Sequence, residues 1–73
     1  MNRLFIPNTA YLSSNALKGL RVNNLHIALA TPPILNPDTE ADRSKSTLYV
    51  PKGSKEKYMS AIYWKNFGKI VEE

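Results

Sequence analysis

Few side chains in this 73-residue chain could do chemistry. His26 is the only histidine, and there is no cysteine. That removes disulfides, thiolate metal sites and a cysteine nucleophile. A histidine acts as a general base when an acid orients it. His26 has no acid near it in sequence, so it reads as a structural or surface residue. Asp38, Glu40 and Asp42 alternate as calcium ligands do. A calcium loop also needs a glycine at its sharp turn and a closing glutamate, and neither follows. Glu72 and Glu73 are a further pair of carboxylates with nothing nearby to preorganise them. No nucleophile elbow or phosphate-binding loop is present. Tyr58, Trp64 and Phe67 could be drawn as a ligand cage, but their helical spacing suits core packing better. No catalytic, metal-binding or cofactor-binding residue is assigned, and the chain is expected not to be an enzyme.

The elements that would position these residues are easier to see. Three short apolar triplets recur: Leu4-Phe5-Ile6, Leu25-His26-Ile27 and Leu48-Tyr49-Val50, at steps of 21 and 23 residues. A weaker fourth, Gly68-Lys69-Ile70, follows 20 residues later. A period in this range is that of a leucine-rich solenoid, in which each turn adds one strand to a parallel stack. Pro7-Asn8, Thr31-Pro32-Pro33 and Pro51-Lys52-Gly53 close the strands, since proline cannot donate to a ladder. The second strand is expected over 25–30, where Leu25, Ile27 and Leu29 alternate with smaller or polar residues.

Side chains two apart in a strand share a face. Leu4 and Ile6, Leu25 and Ile27, and Leu48 and Val50 should therefore form inward columns about 4.8 Å apart. The middle residues Phe5, His26, Tyr49 and Lys69 should form an outward row, a candidate partner-binding face because aromatic residues favour interfaces. Residues 9–19 read as a return arm, with Asn15 capping one helical turn over 16–18 and Gly19 stopping it. The stretch 31–46 is the longest irregular one, with Ile34 and Leu35 pinning its start. Ser54 sits where a helix N-cap belongs, with Glu56 in the first turn. The helix is expected over 55–65, with Tyr58, Ala61, Ile62 and Lys65 on one face. Tyr58, Ile62, Trp64 and Phe67 would cover the end of the array as a cap.

Length allows one small domain, residues 1–73. It divides into repeat turns over 1–46, with the loop at about 31–46, and a final strand and capping helix over 47–73. Mean hydropathy is slightly negative, as expected of a soluble chain. No apolar run approaches the roughly 18 residues that span a bilayer. The apolar run before Pro7 is also too short for a secretory leader, so an exported parent would carry its leader upstream of Met1. Net charge is +4. The lysines at 52, 55, 57, 65 and 69 are interspersed with acids and apolar residues, which suits a solvated face better than a nucleic-acid stripe.

Thr47-Leu48-Tyr49-Val50-Pro51-Lys52-Gly53-Ser54, followed by Tyr58, Ala61, Trp64, Phe67, Ile70 and Glu72, resembles the ending of BspA-like leucine-rich repeat proteins. That ending reads as an LYVP-x-GS strand and turn, a tyrosine and alanine on a helix, then W-x-x-F-x-x-I-x-E. Thr31-Pro32-Pro33 resembles the TPP that commonly precedes it. Leu4–Asn8 and Asn15–Gly19 resemble the family's strand and return arm, although Leu17 replaces the usual phenylalanine and no cysteine follows Gly19. The resemblance implies a short solenoid in the α+β class, with a few parallel strands and a C-terminal capping helix. It also implies a non-catalytic adhesion or protein-binding module of a bacterial surface or secreted protein, with a host or matrix protein as partner. Two other readings stand beside it. One is a purely structural cap of a repeat array. The other is a small basic module binding nucleic acid or anionic glycan. The first strand has no upstream neighbour, so its open edge could also pair two copies into a homodimer.

Overall fold

The computed structural model describes residues 3–9, 11–13, 15, 17, 22–36 and 44–73. Among them run β1 (Arg3–Ile6), β2 (Asn24–Ile27), β3 (Thr47–Val50), α1 (Lys55–Met59), a 3₁₀ turn (Trp64–Asn66) and β4 (Lys69–Glu72). The four strands form one sheet in chain order, and every neighbouring pair is parallel. One parallel sheet with one short helix makes a small α+β arrangement. Residues 16, 18 and 19 of the expected helical turn, and Asp38, Glu40 and Asp42, lie outside the described residues.

Four-residue strands are too short to be stable alone, and the inward columns hold them together. Leu4 lies opposite Leu25, Leu25 opposite Leu48, and Leu48 opposite Ile70. Leu25, Leu48 and Val50 are fully buried. The connecting segments add Val22 and Leu35 to the same core, and the C-terminal segment adds four aromatic rings. β2 ends at Ile27, earlier than expected, and Leu29 is partly buried against the core. Leu35 is buried as expected, but Ile34 is 91% exposed and pins nothing.

The fourth strand is displaced by two residues from the expected alignment. Val71, not Lys69, lies opposite Tyr49, and Lys69 lies opposite Thr47. A two-residue shift keeps every side chain on its face. This register sets Ile70 against Leu48, where the shorter alignment would have set the bare Gly68. Gly68 has another use, since a methyl there would fall 1.8 Å from the carbonyl oxygen of Ser44. Two backbones pass where only glycine fits.

The expected helix over 55–65 is also corrected. α1 stops at Met59, and the chain restarts as a 3₁₀ turn at Trp64. Between them Tyr63 has φ 79° and ψ −53°, a conformation that costs a non-glycine residue on the order of 1–3 kcal/mol. On a continuous helix Trp64 and Phe67 would point about 120° and 180° away from Tyr58, at roughly 100° per residue. The break turns Tyr58, Tyr63, Trp64 and Phe67 into one core. Burying an aromatic ring removes about 150–250 Å² from water, worth roughly 4–6 kcal/mol at 25 cal/mol per Å². That exceeds the backbone cost. Ile62, assigned above to the cap, is the residue left out, at 55% exposure.

Candidate functional site

Parallel in-register pairing sets Phe5 opposite His26 and His26 opposite Tyr49. Strand spacing of about 4.8 Å is close to ring-stacking distance, so like-facing rings on adjacent strands stack. Phe5 and His26 have centroids 4.5 Å apart with planes at 16°. His26 and Tyr49 are 4.3 Å apart at 7°. The three rings form a continuous stack on the sheet face away from the core. His26 and Tyr49 are half-buried by their neighbours, and Phe5 at the edge is 65% exposed. Lys69 lies on the same face but outside the row.

A fourth residue joins the site that spacing did not reveal. Glu73 donates its N–H to the Val50 carbonyl at 2.9 Å, which fixes it at the end of β4. Its Oε1 lies 2.5 Å from His26 Nδ1. A carboxylate only accepts, so the proton of this bond sits on Nδ1. Nε2 of His26 is buried and has no hydrogen-bond partner. No local motif announces this pair. Counting two residues past the aligned register of β4 is the only route to it.

A shallow cleft of about 470 Å³ opens beside the stack, lined by Phe5, Pro7, His26, Ala28, Pro51 and Glu73 among others. Its surface is apolar apart from the histidine–glutamate pair. Such a surface offers ring edges, proline faces and one carboxylate to a ligand. Among the described residues no group of three histidine, cysteine or acidic side chains could hold a metal ion, and no helix is long and apolar enough to cross a membrane.

The cap residues form a second cluster. Trp64 meets Tyr58 and Tyr63 edge-on, at 5.4 Å and 5.0 Å, and stacks on Phe67 at 6.2 Å. The polar tip of each larger ring satisfies a carbonyl of a connecting segment. Tyr58 donates to Leu29 at 2.6 Å, Tyr63 to Leu17 at 2.8 Å, and Trp64 Nε1 to Pro33 at 2.9 Å. Burial disfavours the phenolate and pushes the Tyr58 hydroxyl up from 10.0 to about 12. Tyr63 is a cap residue that the helical pattern concealed. Ser54 holds the N-cap position but makes no side-chain cap bond. The carboxylate of Glu72 accepts instead, from the N–H of Gly53 at 2.7 Å and of Lys55 at 3.3 Å.

The chain matches no known protein family, no characterised protein and no solved structure.

Proposed function

We propose that this chain is the C-terminal part of a leucine-rich repeat array, a non-catalytic module that binds a protein partner through the outward face of its sheet. The observation that carries this reading is the stacked row Phe5–His26–Tyr49. Three rings held in register on a face the core does not use give a rigid, amphipathic surface at low entropic cost, which suits protein contact. The sequential parallel strands and their buried leucine columns support the repeat reading. β1 lies at an edge of the sheet. In a longer array the preceding turn would add there, and in the isolated chain a second copy would. A bacterial cell-surface or secreted location, and a host or matrix protein as partner, come from the resemblance of residues 47–72.

The test is binding of the chain to a panel of purified extracellular-matrix proteins by surface plasmon resonance. A Phe5→Ser/Tyr49→Ser variant with unchanged circular dichroism should lose binding. Retained affinity in that variant removes the proposed face.

A purely structural role has its own support in the aromatic cluster, since Tyr58 and Trp64 are fully buried at the end of the core. Deleting residues 51–73 from a longer array would then reduce solubility and leave ligand binding intact.

A further inference from the structure

β4 is the second edge of the sheet, and its main chain is oriented to accept another strand. Lys69 N–H donates to Ser46 at 3.3 Å and Glu73 N–H to Val50 at 2.9 Å. In a parallel ladder alternate residues turn their main-chain groups to opposite sides. Residues 69, 71 and 73 therefore serve β3, and Ile70 and Glu72 present their N–H and C=O groups outward. This edge is not flush with solvent. It forms the floor of a groove of about 590 Å³. Lys55 and Met59 of α1, together with Lys65 and Phe67, line the groove beside the strand.

The charge in this groove is one-sided. Lys55, Lys65 and Lys69 line it and are exposed, while the only acid lining it is Glu72. That carboxylate is already engaged by the N–H groups of Gly53 and Lys55. Met59 is 54% exposed and gives the groove an adaptable apolar wall.

We infer that this groove binds an extended acidic peptide segment of a protein partner, which adds to β4 as a fifth strand. Backbone bonds to Ile70 and Glu72 supply the pairing, as in strand addition generally. Lys55, Lys65 and Lys69 select for acidic side chains. Met59, exposed on the groove wall, receives an apolar one, while the Ile70 side chain stays in the core. Four residues of β4 span about 13 Å at 3.3 Å per residue, so a segment of four or five residues covers the edge. This site is separate from the Phe5–His26–Tyr49 face and does not depend on it.

The probe is an acetylated, amidated heptapeptide alternating glutamate with valine, titrated into the 73-residue chain. Fluorescence anisotropy gives affinity, and amide NMR gives position. The expected result is saturable binding, with the amides of Ile70 and Glu72 shifted and newly protected from exchange. Lys65→Glu/Lys69→Glu should weaken binding about tenfold, on the order of two screened charge pairs. A peptide N-methylated at alternate residues should not bind, because it cannot pair. Phe5→Ser/Tyr49→Ser should bind the peptide normally, which separates this site from the sheet face. Equal affinity for the lysine–valine counterpart would overturn the charge selection. Equal affinity for the N-methylated peptide, or displacement by a heparin fragment that weakens fully with salt, would mean polyanion attraction without strand addition. No binding at millimolar peptide would end the proposal.

Discussion

The imidazole Nδ1 of His26 and Oε1 of Glu73 lie 2.5 Å apart although 47 residues separate them in the chain. The same imidazole is stacked on both sides, by Phe5 and Tyr49, and its Nε2 is buried without a partner. The ring thus holds the row together by its shape, while one of its polar atoms is unsatisfied.

His26→Phe keeps both stacks and removes the unsatisfied nitrogen. Its stability should stay within about 1 kcal/mol of the parent, because water can replace the donor at the half-exposed Glu73. His26→Ala removes both stacks and should cost on the order of 2 kcal/mol. Urea unfolding followed by circular dichroism distinguishes them. Equal losses in the two variants would show that the carboxylate contact, which both lack, dominates over the stack.

Tyr58→Phe leaves the Leu29 carbonyl without its donor and should cost about 1–2 kcal/mol. It should also change the alkaline limb of stability. The folded-state value of this phenol lies above the unfolded one, about 12 against 10.0. Its contribution is therefore complete below pH 10.0 and is lost as the pH rises towards 12. Comparing parent and variant between those limits cancels every other group that titrates there. Parallel stability curves above pH 10.0 would contradict the buried phenol.

Ile62 and Trp64 report on the break in the C-terminal helix. Ile62→Gln should change stability by no more than about 0.5 kcal/mol, as an exposed substitution does. Trp64→Ala should cost roughly 3–5 kcal/mol. That is much of the whole for a chain of this size, at roughly 0.05–0.15 kcal/mol per residue. A continuous helix over 55–65 would make Ile62→Gln costly as well. Thermal melts of the two variants separate the arrangements.

The two described turn glycines differ in kind. Gly68→Ala should cost more than about 2 kcal/mol, since its methyl would overlap the Ser44 backbone, which cannot swing away as a side chain can. Gly53 has φ +88° and open space around it. Gly53→Ala should cost only the conformational term, about 1 kcal/mol. Equal costs at both positions would mean that Ser44 does not approach β4 as described.

The chain's local pattern was enough to locate three strands, their inward faces and their proline stops. Alternation and missing N–H groups act within a few residues, and both are written in the sequence. It also marked Tyr58, Trp64 and Phe67 for burial, because large rings seek the core wherever the backbone lets them. What local pattern could not fix was the relation between distant segments. Whether Lys69 or Val71 stands beside Tyr49 depends on how Ile70 and Gly68 each find their partners across the sheet. Whether a helix continues past Met59 depends on four rings competing for one core, and their combined burial outweighs the strained backbone at Tyr63. The approach of Glu73 to His26, and of Glu72 to the start of α1, follows only once that register is set. Side-chain periodicity belongs to a segment, whereas register belongs to the packed whole, so only the tertiary structure decided it.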